Sequence, residues 1–130
     1  MAVGSVGVVM RMVDGNGPWG KHLLIDVKGY KCPRLTQDYV AKFFDVLIEK
    51  LQMTKLGPFL VEELDEELNK GVSAVQMITT SSICLHEDAI AKAIYLDVFS
   101  CREFDDYLVK MLVQGWFKPT GWTSQVILRD

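Results

Sequence analysis

Two segments of this chain carry apolar residues on one helical face only, and that restricts the fold. Val40, Phe43, Phe44, Leu47, Ile48 and Leu51 follow at spacings of 3, 1, 3, 1 and 3, while Asp45, Glu49 and Lys50 fall off that stripe. The spacing predicts an amphipathic helix over 36–53, with Thr36 as N-cap and Asp38 in its first turn. Phe104, Tyr107, Leu108, Met111 and Leu112 mark a second helix over 103–114, with Gly115 as its natural C-cap. A helix with one apolar stripe must lay it on something. The remaining apolar runs have strand length, so that surface is a sheet.

The strand signals are period-two alternation and enrichment in β-formers. His22 to Val27 is the first, closed by Gly29 and the Cys32-Pro33 step. Gly57-Pro58 resets the chain before a short strand starting at Phe59 to Val61. Glu62 to Asn69 is dense in acidic groups and reads as a loop or one helical turn. Val72 to Thr80, Ile83 to Leu85 and Ala93 to Phe99 read as further strands. Trp116 to Leu128 is a last strand or hairpin, interrupted by Pro119-Thr-Gly121. The expected fold is α+β, a two-layer α/β sandwich whose largely antiparallel sheet is covered by two helices, in the order β-α-β-β-β-α-β. Residues 1–19 form an N-terminal arm, in which Val8 to Val13 is an edge strand or mobile, and residues 20–130 form a single domain.

Composition narrows the function. A chain of 130 residues, 49% hydrophobic, buries one real core. Its net charge of −3 lacks the basic field of a nucleic-acid binder. No run of 18 apolar residues suggests a membrane span. The apolar start lacks a basic region and a clear cleavage site, so no signal peptide is expected. Three cysteines, Cys32, Cys84 and Cys101, with no CxxC spacing, fit reduced thiols in a cytoplasmic protein. Cys84 and His86 share a strand face, but no full ligand set accompanies them or Cys101, so no metal is expected.

The chemistry-bearing residues concentrate in Gly71 to His86 and Asp97-Val-Phe-Ser-Cys101, which place Ser73, Ser81, His86 and Cys101 at strand ends and turns. Taken singly, such residues usually satisfy local backbone groups or fill a core. Their joint spacing resembles the prokaryotic S-adenosylmethionine decarboxylases, which are pyruvoyl enzymes. That family shows Gly-Val-Ser, then, eight residues after that Ser, a Ser that becomes the pyruvoyl group. A His follows five residues later, and then an Asp-Val-Phe-(Ser/Thr)-Cys strand end. Ser73, Ser81, His86 and Cys101 occupy those positions, and Gly20-Lys-His-Leu-Leu-Ile-Asp26 is similar to the family's opening strand.

The resemblance implies self-cleavage between Thr80 and Ser81, a pyruvoyl group derived from Ser81, and a homodimer of processed protomers. Decarboxylation leaves electron density at Cα that no side chain can absorb. A pyruvoyl ketone absorbs it through a Schiff base with the substrate amine. The resemblance makes Ser73 and His86 assistants of cleavage, with His86 as base, and Cys101 the acid that returns a proton to Cα. The implied activity is S-adenosylmethionine decarboxylation in polyamine biosynthesis, including spermidine biosynthesis.

The chain departs from the family's usual pattern at Thr80, where Glu is usual, at Ser82, where His is frequent, and at Glu87-Asp88-Ala-Ile in place of Thr-Trp-Pro-Glu. Where the family carries an aromatic, six residues before the first Ser, this chain has Glu67. A carboxylate there, amid Glu62, Glu63, Asp65 and Glu66, suits a cationic substrate tail. The alternatives are therefore an arginine or ornithine decarboxylase of the same family, or a small-molecule-binding homologue that never cleaves. Trp19, Phe59 and Trp116 are candidate partners for a sulfonium or adenine.

Overall fold

The computed structural model describes residues 18–130. The expectation for Val8 to Val13 lies outside the described residues, as does most of the arm. The element order is β1 (Gly20–Lys28), α1 (Gln37–Lys50), β2 (Lys55–Glu66), β3 (Asn69–Ile78), β4 (Ser81–Asp88), β5 (Ala93–Ser100), α2 (Asp106–Phe117) and β6 (Trp122–Arg129). The strands form one six-stranded sheet in the order β2-β3-β4-β5-β1-β6, with every neighbour antiparallel. β2 to β5 is a meander of hairpins. α1 carries the chain from β1 to the far edge, and α2 carries it from β5 to the opposite edge. No helix of the described residues is long and apolar enough to cross a membrane.

The two-layer sandwich expected from the helical stripes is the one observed. Each of the four strand-like runs between the helices is a strand, one more than the order β-α-β-β-β-α-β counted, and the first is longer than expected because it takes in the acidic segment. Glu62 to Glu66 continues β2, and Glu67-Leu68 is the two-residue turn into β3, because Glu66 pairs with Asn69. Charged side chains suit this strand because β2 is a sheet edge, where they discourage pairing with another chain.

The sheet has a covered face and an open face. Leu23, Ile25 and Val27 of β1, Ile83 and Leu85 of β4, and Ile94, Leu96 and Val98 of β5 are buried beneath the helices. α1 answers with Val40, Phe43, Phe44, Leu47 and Ile48, each burial worth about 1.5–3 kcal/mol. Thr36 caps α1 as expected, accepting a hydrogen bond from the Tyr39 N–H at 3.0 Å. Lys21 occupies a core-facing position of β1 and is fully buried. Its ammonium donates to the Phe104 carbonyl at 2.5 Å and lies 2.8 Å from Glu103 Oε1 and 3.4 Å from Asp106 Oδ1. That cluster pins the start of α2 to the sheet.

Gly115 is not the C-cap of α2. The helix runs through it to Phe117, and Lys118 takes the left-handed conformation, its N–H bonding the Gln114 carbonyl. The reason is packing. Phe117 is fully buried and its ring lies 4.7 Å from that of Phe43, so the extra turn places an apolar side chain in the core.

Two stability predictions follow from these placements. A Cβ at Gly115 meets nothing within 4 Å, and the position is interior to the helix. Gly115→Ala should therefore stabilise the fold by about 0.5–1 kcal/mol, read as a higher urea midpoint; a loss would restore the capping role. Lys21→Met removes the buried cation that Glu103 and Asp106 share, which should cost about 3 kcal/mol in the same titration.

Candidate active site

The candidate residues fall into two groups at opposite ends of β4. The first is at its start. Ile78 pairs with Ser81, so Thr79 and Thr80 form a two-residue turn between β3 and β4. Neither has a positive φ, whereas Ser81 does, at 154°. That is a strained backbone for any residue other than glycine. Ser81 pairs across with Ser100, and the Cys101 N–H donates to the Thr80 carbonyl at 2.8 Å. Ser81, the carbonyl preceding it and Cys101 are thus neighbours, held by the end of β5.

The second group lies on the open face at the far end of β4. Ser73 and His86 pair across β3 and β4, and Ser73 Oγ is 3.0 Å from His86 Nδ1. Both are exposed. Glu62 faces Ser73 from β2. Leu60, Val61, Glu62, Ser73, Ala74, Val75 and His86 line a shallow recess of about 190 Å³. Five residues of extended strand separate Ser81 from His86, about 16 Å. Within one chain, then, the structure joins Ser81 to Cys101 and Ser73 to His86, but not the two groups to each other.

Glu67 joins neither group. It sits in the exposed turn at the tip of the β2–β3 hairpin, so the carboxylate adjoining Ser73 is Glu62. Among the other acids of this segment, Glu63 is paired with Arg34, and Asp65 lies 3.9 Å from Lys70. The candidate aromatics separate as well. Phe59 of β2 packs on Phe44, and Trp116 on Tyr39 and Phe43, all against the core on the covered side of the sheet. Trp19 stays near the Thr79–Thr80 turn. Its ring is 5.6 Å from that of Phe99, and the adjacent Gly20 lies against the Ser100 carbonyl and Cys101.

Cys84 shares the open face with His86, but its thiol pKa is raised, first by burial and then by the Asp97 carboxylate. A raised thiol is a poor source of thiolate near neutral pH. Cys32 is raised as well, chiefly by burial. Glu87, which departs from the family's usual residue, is occupied structurally. It accepts from the Tyr30 hydroxyl and from the Val72 N–H, the latter at 3.1 Å. Among the described residues no three His, Cys, Asp or Glu side chains gather as a cation site.

Reading residues one at a time missed two features. Ser100 is fully buried and bonds Thr80, and Lys21 is buried beneath α2. Both could have been found from strand register. Each occupies the inward phase of a period-two pattern, with Ile94, Leu96 and Val98 in one case and Leu23, Ile25 and Val27 in the other.

Comparison with known proteins agrees with this fold. The family model for S-adenosylmethionine decarboxylase matches residues 21–130. No curated protein matches. Among solved structures, the chain is similar to the adenosylmethionine decarboxylase from Aquifex aeolicus VF5, with a TM-score of 0.72 and 19% identity. The match covers 86% of this chain and 91% of that one. At that identity the likeness speaks for the fold, while the family match spans almost the whole described chain. The chain belongs to the S-adenosylmethionine decarboxylase family, carboxy-lyases of polyamine biosynthesis that are generally pyruvoyl-dependent.

Proposed function

We propose that this chain is a self-processing decarboxylase of S-adenosylmethionine whose pyruvoyl group derives from Ser81. The observation that carries the reading is the reactive turn. A strained Ser81 follows a carbonyl already held by a backbone N–H. In the first step Ser81 Oγ adds to the Thr80 carbonyl carbon, and negative charge develops on its oxygen. The Cys101 N–H lies where that charge is stabilised. Breaking the Thr80–Ser81 C–N bond converts the peptide into an ester. Loss of the Ser81 Cα proton then expels the upstream chain as a carboxylate, and hydrolysis of the resulting dehydroalanine, with release of its nitrogen as ammonia, leaves the ketone. That ketone supplies the electron sink for decarboxylation. Cys101, beside it, is suited to return a proton to substrate Cα.

The base for this cleavage is harder to place within one chain. His86, oriented by Ser73, is about 16 Å from Ser81 along β4. A second copy removes the difficulty. The open face exposes Leu60, Met77, Leu64 and Tyr95, at 57, 55, 44 and 36% of their surface. Such a face calls for a cover. A two-fold axis across the strands lays the Ser81 end of one copy over the Ser73–His86 end of the other. The homodimer is therefore part of the reading, with each site built from two chains. The protein acts in the cytoplasm, on a small molecule and not on nucleic acid or membrane.

For the substrate, Trp19 beside Phe99 offers an aromatic face to a sulfonium or adenine. One observation favours a second substrate class. Glu62 stands next to Ser73 in the recess and is placed to pair with the cationic tail of arginine or ornithine. Assays of CO2 release from the three compounds distinguish them.

Freshly purified wild type should appear on a denaturing gel as residues 1–80 and 81–130, the latter blocked at its N-terminus, while Ser81→Ala stays whole. Wild type that also stays whole would leave a non-processing binding homologue as the better description. Cys101→Ala should still process but lose about 10²–10⁴ in kcat; unaltered turnover would remove its role as acid.

A further inference from the structure

One buried hydroxyl touches the scissile residue and has no place in the chemistry described so far. Ser100 ends β5 with no solvent exposure. Its Oγ donates to Thr80 Oγ1 at 2.8 Å and accepts from the Arg102 N–H at 3.0 Å. The Arg102 guanidinium in turn donates to the carbonyls of Leu51 and Gln52 at the end of α1, at 3.2 and 2.5 Å. A continuous set of hydrogen bonds therefore runs from the C-terminal end of α1 to the side chain of Thr80.

We propose that Ser100 is a positioning residue for self-cleavage, fixing the orientation of the Thr80–Ser81 peptide plane through the Thr80 hydroxyl. The proposal rests on the reading of that bond as the one that breaks. A two-residue turn tied at one point can pivot about it. Thr80 is tied at two: its carbonyl oxygen to the Cys101 N–H and its hydroxyl to Ser100. With both ties in place the peptide plane cannot turn away from the Ser81 side chain, and the reacting atoms stay close to an attack geometry.

The step served is balanced without any outside reagent. The Ser81 Oγ–C bond forms as the Oγ proton passes to the base, and the carbonyl π pair moves onto oxygen. That pair returns as the C–N bond breaks, and the amine takes up a proton. Thr80 stands where the family usually has Glu, and the short hydroxyl of Thr is what Ser100 reaches here. Ser100 is thus matched to this chain's own residue at the cleavage point.

The test follows cleavage over time after cell-free synthesis of wild type, Ser100→Ala, Ser100→Thr, Thr80→Val and the Ala/Val double variant. Thermal unfolding of the same set in a Ser81→Ala background, which cannot cleave, reads any loss of fold separately. Ser100→Ala and Thr80→Val should each slow cleavage about tenfold, the scale of one hydrogen bond felt in the cleaving state. The double variant should be no slower than the worse single one, since both remove the same tie. Ser100→Thr, which keeps the hydroxyl, should restore most of the rate. Wild-type speed in Ser100→Ala, or no rescue by Thr, overturns the proposal. If Ser100→Ala does not fold, Thr80→Val decides alone, and wild-type speed in it is equally fatal. An uncleaved wild type is a separate result, which removes the pyruvoyl reading itself.

Discussion

The fold depends on an ammonium group with no access to water. Lys21 lies in β1 at a position where the alternation calls for an apolar side chain, and its charge is met by the Phe104 carbonyl, Glu103 and Asp106. An ammonium buried without such partners would carry a penalty of several kcal/mol, so the partners are obligatory. They all lie within 103–106, which fixes where α2 begins against the sheet. The connection from Ser100 to Asp105 is then short and held at both ends. The Cys101 N–H that meets the Thr80 carbonyl belongs to this connection. Electrostatics on the covered face thus sets the geometry of the reactive turn two strands away.

Covering one sheet face and leaving the other open explains the division of the site. Side chains of a strand alternate between faces, so His86 and Ser73 are directed to the open side by the same register that buries Leu85 and Ala74. Groups on the open side are separated from the Thr79–Thr80 turn by the length of β4, and among the described residues nothing folds back across that distance. In the proposed homodimer a second sheet facing the first would bury the apolar open face and shorten the separation in one step, so that stability of the assembly and assembly of the site would have the same cause.

Much of this architecture was legible in the sequence because two periods carry it. The 3,1,3,1,3 spacing located α1 to within a few residues, and Thr36 capped it. Ser81 and Cys101 were expected at strand ends, and they lie at the start of β4 and just past the end of β5. Other features were not legible because tertiary packing overrode local preference. Gly115 looks like a helix end, yet burial of Phe117 carries α2 past it. The acidic run looks like a loop by composition, but a sheet edge tolerates charge, and the run is a strand. Glu67 holds a suggestive sequence position, but the hairpin turn places it away from both groups, while Glu62, unremarkable in sequence, faces Ser73. That reversal depends on pairing register, which spacing along one strand cannot supply.

The turn residues themselves argue for where the strain lies. Two-residue hairpins favour turns with positive φ within the loop, and glycine, asparagine or aspartate supplies it easily. Thr79 and Thr80 are β-branched, for which that conformation is costly, and neither adopts it. The strands must nonetheless reverse and pair, with Ile78 opposite Ser81. The unfavourable backbone therefore falls on Ser81, at a cost of about 1–3 kcal/mol. Strain at that residue lies on the peptide unit whose rearrangement to an ester would release it. Glycine at position 81 would relieve the backbone but carry no hydroxyl, and glycine at 79 or 80 would move the discomfort away from the bond. Two threonines before a serine keep strain and hydroxyl on one residue, and the N–H of Cys101 and the hydroxyl of Ser100 hold the turn that precedes it.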